Sequence, residues 1–278
     1  MSQLGAAPLY GAHAPLEKAD PYGWRNGLSY GFLGFALAFV ALPLYVILPN
    51  HYAVQFGVPL STLGALLLGA RLLDAFIDPL LGRLSDRLFA RSPRAVLAYG
   101  GAAALLLALG FTLLFFPPVQ GLTTLLVWAG VLLVLTYAAF SAVSVAHQAW
   151  GAMWGGNDAQ RGRVVAWREG LGLAGVLVAS VAPSVWGLQG STAIFIVALL
   201  AGWLAWTQAL RPACAPSLHA PQNIWLPFSR PAFRKLLVVF MFNGIASAVP
   251  ATLVLFFIQD RLQASGQWPG IFLGAYFL

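Results

Sequence analysis

Arg71, Asp74 and Asp78 stand three and four residues apart in the segment ARLLDAFIDPLLGRLSDR (70–87), and Pro79 directly follows the second acid. On a helix those spacings put all three charges on one face. Two carboxylates one turn apart repel, so one holds a proton or a cation sits between them. Proline supplies no N–H to the carbonyl of Ala75 and tends to kink the helix, which adds a freed carbonyl beside the acids. The group therefore has two readings. It is a site for Na⁺ or H⁺, or Arg71 and Asp74 form a structural ion pair that locks their helix to a neighbour and leaves Asp78 over.

The surroundings make those charges costly. The chain is 60% hydrophobic and only 8% charged, whereas soluble domains average about 25% charged residues. That is membrane composition. The net charge of +7 does not indicate nucleic acid, because the basic residues fall in short clusters between apolar spans rather than along one face. Cys214 is the single cysteine, which excludes an intrachain disulfide, and it has no metal-site spacing.

A helix needs about 20 mostly apolar residues to cross the hydrocarbon core. Seven stretches qualify, 27–49, 59–85, 95–116, 122–150, 164–186, 191–210 and 234–258, and an eighth begins near Trp268 and is cut off at Leu278. Nothing alternates as barrel strands would. The polar first 23 residues do not resemble a signal peptide, and the first span is expected to be retained. With the N-terminus inside, Lys and Arg fall on the cytoplasmic side throughout, apart from intramembrane Arg71 and from Arg261. The outer connections NHYAVQFGVP, FPPVQG and WGLQGS carry no Lys or Arg. This is the positive-inside pattern. The expected organisation is a cytoplasmic tail over 1–23, a six-helix bundle over 24–210, a Pro-rich cytoplasmic connector over 211–233, and the start of a second bundle over 234–278. ALPLYVIL (41–48) is echoed by AVPATLVL (248–255), each with proline in third place. The echo fits a carrier of two similar six-helix halves, truncated in this chain.

The second span ends at a cytoplasmic cluster, so at 1.5 Å per residue Asp78 lies about 12 Å, and Asp74 about 18 Å, deeper than Asp86. An ionised side chain at that depth costs several kcal/mol unless it faces the bundle interior or a watery cavity with a partner. In GRLSDRLFAR, basic residues at a cytoplasmic helix end need no motif to explain them. Gly82, Asp86, Arg87 and Arg91 nevertheless resemble the loop between the second and third helices of major facilitator carriers, where acid and arginines bridge helix ends.

RLLDAFIDPLLGRLSDR resembles the second-helix signature of the glycoside–pentoside–hexuronide cation symporters, which include the melibiose carriers. ALPLYVILPNHYAVQFG is similar to the family's first helix and outer loop. NDAQRGRVVAWREGLGLAG is similar to its fifth helix, with Arg161, Arg163 and Arg168 at the basic positions. The resemblance implies a major facilitator fold and cation-coupled solute uptake, with Asp74 and Asp78 as ligands of the coupling Na⁺ or H⁺. It implies a substrate or gating role for Arg168, alongside Arg71. The chain departs from the sugar carriers where they grip sugar. The first span has no carboxylate, Ser141 stands approximately where the fourth-helix acid would, and Val145 stands near the stacking tryptophan's position. An apolar cargo, lipid-like and amphipathic, is the alternative, with an uncoupled facilitator or exporter of the same fold and a non-transporting scaffold as the other rivals.

Tyr45, Tyr137 and Asn243 are mid-span polar groups that either line a cavity or bond between helices. His147, a lone histidine at depth, fits an interfacial or hydrogen-bonded role. Arg168 and Glu169 point about 100° apart and are not expected to pair. Gly151, Gly155, Gly170, Gly172 and Gly175 are expected to let helices pack closely. There is no HExxH, no GxSxG at a helix start and no phosphate-binding glycine loop, so no enzyme is expected. Nor is any cofactor, beyond the coupling ion. The expected partners are a small-molecule solute and the bilayer, with the chain a monomer in the inner membrane.

Overall fold

The computed structural model describes residues 22–212, 227–264 and 266–277, and all regular elements among them are helical. Most of the tail over 1–23 and of the Pro-rich connector over 211–233, with Cys214, lies outside the described residues. Helix α1 (Trp24–Leu42) runs through a π turn (Pro43–Ile47) into α2 (Leu48–Phe56). Pro43 opens that turn, and its carbonyl accepts the N–H of Leu48 five residues on. The wider spacing is characteristic of π bulges inside α-helices. Gly57 ends the rod at φ 65°, a left-handed cap that glycine adopts without a Cβ penalty.

Helix α3 (Leu60–Arg91) keeps Pro79 within one continuous element. Ser92 alone separates it from α4 (Pro93–Phe115), and the Ser92 hydroxyl accepts the N–H of Ala95 at 3.1 Å. Gly82, Asp86, Arg87 and Arg91 therefore belong to the last turns of α3. The expected loop is helical, because nothing before Ser92 interrupts the pattern and the serine cap starts the next helix at once. Similarly, NHYAVQF of the first expected outer connection is helical as far as Phe56.

Helix α5 covers Leu122–Ala152, and α6 covers Asp158–Gln208. A capping box between Asn157 and Gln160 starts α6, with bonds of 2.9 Å in both directions. Inside α6, Gly187 has φ 68° and ψ −179°, which no helix contains. The contacts of α1 show what that break does. Gly31, Gly34 and Ala38 meet Trp167, Arg168 and Gly172 in that order, so the first arm runs alongside α1. Leu33 meets Gly202 and Phe39 stacks on Phe195, so the second arm runs back. The spans expected over 164–186 and 191–210 thus form a hairpin, reversed at one glycine. Among the described residues six helices are long and apolar enough to cross a membrane, and α6, folded back at Gly187, is long enough for two passes.

The seam between α1 and α6 is unusually close. A Cβ on Gly31 would stand 2.7 Å from the Trp167 carbonyl oxygen, and one on Gly34 2.9 Å from that of Arg168. Small residues let backbones approach in this way, and packing rather than the hydrophobic effect drives helix association in lipid. Gly151, Gly172 and Gly175 also face neighbours closely, as expected. Gly170 and Gly155 do not: a Cβ there meets open space, and Gly155 lies beyond α5 in a turn with φ 73°.

Helix α7 (Pro231–Phe256) ends in a second π turn (Phe257–Arg261), and α8 covers Trp268–Tyr276. This part meets the first bundle at the end away from the arginine-rich segments. Asn50 donates to Gln259 at 2.9 Å, Gln259 donates back at 3.4 Å, and Gly270 of α8 sits against Ser184 and the Ser180 carbonyl. Over most of its length α7 is exposed.

Candidate functional site

The π turn aims Tyr45 at α5. Its ring lies 5.7 Å from that of Tyr137 and 6.3 Å from Phe140. Into this aromatic corner α3 delivers Arg71. Its guanidinium carbon sits 3.8 Å from the Tyr45 ring centroid and 4.7 Å from that of Tyr137. Each such contact is worth about 0.5–1 kcal/mol when exposed and about 2 or more when desolvated. One turn on, Asp74 Oδ2 lies 3.8 Å from Arg71 Nη1, and Asp74 Oδ1 accepts the Ser141 hydroxyl at 3.3 Å. One further turn on is Asp78, whose Oδ1 is buried and has no hydrogen-bond partner among the described residues.

The expected ion pair of Arg71 and Asp74 is present but loose, because 3.8 Å exceeds hydrogen-bond length. Arg71, Tyr45 and Tyr137 line a cavity of about 740 Å³ between the π turn, α3 and α5 on one side and α7 and α8 on the other. Much of its wall is apolar, with Leu44, Leu67 and Leu68 facing Ala248 and Ala251. Ser247 and Thr252 also reach it, but their hydroxyls already donate to carbonyls of their own helix at 2.9 and 3.0 Å. Asn243 does not line the cavity and is exposed on α7.

Arg168 stands elsewhere, on the first arm of α6 beside Gly34. It pairs with Glu169, its Nε donating to Oε1 at 3.1 Å. The expectation that these neighbours would not pair is overturned. Their Cβ vectors diverge, but both side chains are long enough for the guanidinium to reach sideways. His147 is fully buried, as its hydrogen-bonded reading implies. Its Nε2 lies 2.8 Å from the Tyr30 carbonyl, Tyr30 donates to the His147 carbonyl at 3.1 Å, and the two rings stack at 4.3 Å. Asp86, Arg87 and Arg91 are exposed at the far end of α3.

Residue spacing did not single out Tyr30, Ser247, Thr252, or the Asn50–Gln259 pair. The last joins positions 209 residues apart, and no local pattern signals such a contact.

Residues 29–278 match the family model described as MFS/sugar transport protein. The chain is also similar to the putative glycoside/cation symporter YagG of Escherichia coli (strain K12), at 28% identity over 158 residues. That match covers 56% of this chain and 34% of the relative, so the chain spans about a third of the length of the curated relative it matches. With helices throughout the described residues, a family match over nearly all of them and a cavity between its two parts, this multi-pass membrane protein belongs to the MFS/sugar transport family.

Proposed function

We propose that the protein moves a small solute, a sugar, glycoside or related compound, across the inner membrane by alternating access driven by a Na⁺ or H⁺ gradient. Asp74 and Asp78 hold the coupling ion. The observation that carries this reading is Asp78 Oδ1, a buried carboxylate oxygen without a partner, one turn from an Asp74 held only by a hydroxyl and a distant guanidinium. A buried carboxylate needs a proton or a cation to offset its desolvation. The relative's printed name, a glycoside/cation symporter, supports the same chemistry. Arg71, Tyr45, Tyr137 and Ser141 form the solute-facing and supporting groups, Arg168 belongs to the gating network, and Gly82, Asp86, Arg87 and Arg91 act at the cytoplasmic gate. The N-terminus is cytoplasmic and the protein works as a monomer, with the six-span bundle over 24–210 and the second bundle from 234 joined by the connector over 211–233.

The apolar wall formed by Leu44, Leu67, Leu68, Ala248 and Ala251 favours a second reading of the cargo, an amphipathic, lipid-like solute. The full-length protein in proteoliposomes decides both points. Neutral glycosides and lysolipids are offered with and without an inward Na⁺ or H⁺ gradient. Accumulation that stops in Asp74→Asn and Asp78→Asn is the expected result, and gradient-independent accumulation by either variant would overturn the coupling.

A further inference from the structure

The two parts of the molecule are tied together at the end away from the arginine-rich segments. Gln259 lies within the π turn Phe257–Arg261, and Asn50 follows three residues after the π turn Pro43–Ile47. Their carboxamides pair head to tail. Asn50 Nδ2 donates to Gln259 Oε1 at 2.9 Å, and Gln259 Nε2 donates back to Asn50 Oδ1 at 3.4 Å. A carboxamide is donor and acceptor together, so each answers both groups of the other. Beside the pair, α8 closes on the first arm of α6. A Cβ on Gly270 would stand 3.0 Å from the Ser180 carbonyl oxygen, and one on Gly274 3.0 Å from the Ser180 hydroxyl. Two glycines four residues apart are what lets α8 come so near.

The amide pair lies past the solute cavity on both helices that carry it. Tyr45 lines that cavity and Asn50 comes five residues later, while Thr252 lines it and Gln259 comes seven residues later. At 1.5 Å per residue this is a displacement of about 7–10 Å along each rod. A second, smaller cavity of about 200 Å³ lies against the pair, lined also by Ile47, Ser184 and Pro269. It is polar and roomy enough for water. Asn50 is nevertheless only 8% exposed while the pair is made.

We propose that Asn50 and Gln259 form the latch that keeps the outer side of the protein shut and so sets how often the cavity turns outward, a role that rests on the reading of the protein as an alternating-access carrier. Neither amide is charged, so parting them strands no ion, and water in the smaller cavity takes over both groups. The latch therefore contributes the net difference between two sets of hydrogen bonds, not a full desolvation penalty. Hydrogen bonds between membrane helices average the equivalent of about threefold in an equilibrium. A latch of that strength biases two states without trapping either one. A purely structural tie would hold the two parts together in every state.

The test uses the full-length protein in membrane vesicles, with its native cysteines, Cys214 among them, replaced by serine. Ala248→Cys then places one reporter thiol in the wall of the solute cavity, and a membrane-impermeant maleimide is applied from either side. Asn50→Ala and Gln259→Ala are each expected to speed labelling from outside about threefold, without speeding it from inside. Combining them is expected to add nothing to either one, because each already removes the pair. The exchange of Asn50→Gln with Gln259→Asn keeps a carboxamide at both places and is expected to restore slow labelling. Unchanged labelling from outside in the two single variants would overturn the proposal. Faster labelling from both sides would also overturn it, since that is the mark of a loosened fold. Gly270→Leu drives a side chain into Ser184 and is expected to wedge the outer side open whatever the amides do. A reporter that stays unreachable from outside even with that wedge would instead remove the alternating-access reading itself.

Discussion

Two polar clusters lie within the membrane-spanning helices, and they are built in opposite ways. Around His147 the polar groups are sealed. Tyr30 and His147 exchange bonds of 3.1 and 2.8 Å, their rings stack, Trp206 closes over the imidazole edge-on at 5.6 Å, and His147 has no exposed surface. Around Arg71 the contacts are longer and incomplete. The ion pair stretches to 3.8 Å, the Ser141 bond to 3.3 Å, one carboxylate oxygen of Asp78 is left over, and Arg71 stands in the wall of a large cavity. The His147 cluster is closed to solvent and holds helices together, although His147 Nδ1 and Trp206 Nε1 have no hydrogen-bond partner among the described residues. What sets the Arg71 cluster apart is that it reaches a cavity, where its unused binding capacity can meet a solute.

The contrast can be broken most forcefully on the sealed side. Gly31→Leu drives a side chain into the Trp167 backbone, and about 3 kcal/mol of stability is expected to be lost, at the upper end of overpacking costs. Unfolding of the purified protein in mixed micelles reads this directly, and a loss below about 1 kcal/mol would show that the seam can yield. Next in size is His147→Ala. It removes a buried ring and its bond, for an expected cost of about 2 kcal/mol. The response of the remaining folded protein to cations is expected to be unchanged, and a lost response would move His147 into the site.

On the open side the sign reverses. Asp78→Asn replaces an unpartnered carboxylate with a neutral amide and is expected to raise stability by about 1 kcal/mol in cation-free buffer, since an unpaired buried charge is costly. The same variant loses the cation-dependent shift in melting temperature. A destabilised Asp78→Asn would mean that the acid is structural. The smallest effect belongs to Ser141→Ala. Hydrogen bonds between membrane helices average about 0.6 kcal/mol, so a change of that order is expected in the unfolding midpoint. A change several times larger would show Ser141 to be a pillar of the cluster.

Much of this was legible in the residues. Apolar runs of the right length located the crossings, and the spacing of Arg71, Asp74 and Asp78 placed three charges on one helix face. Mid-span polarity pointed to Tyr45 and Tyr137, and family resemblance to Ser141, only as cavity or gating candidates. The cation–π cage that joins the tyrosines to Arg71 was not foreseen, because it depends on the π turn at Pro43–Ile47. Helix ends were less legible. Polarity suggested a connection at NHYAVQF and family resemblance a loop at GRLSDRLFAR, yet polar residues at a membrane surface are equally at home in a helix. Arg168 and Glu169 show the limit of reasoning from Cβ directions alone, since two long side chains can pair across a divergence of about 100°. Asn50 and Gln259 show another limit. Each is an unremarkable polar residue until the chain brings them together.

The glycine seam of α1 also bears on how the chain assembles. The rod from Trp24 to Phe56 is long and apolar enough to enter the bilayer by itself. Its backbone partner begins at Trp167, 140 positions after Gly27. Insertion and packing are thus separated in time, as two stages of membrane protein folding. Throughout synthesis of the three intervening helices, Gly27 and Gly31 present a small-xxx-small face that fits any neighbouring helix. Any chain halted before α6 would carry that face unprotected, so α1 is made well before the partner that secures it.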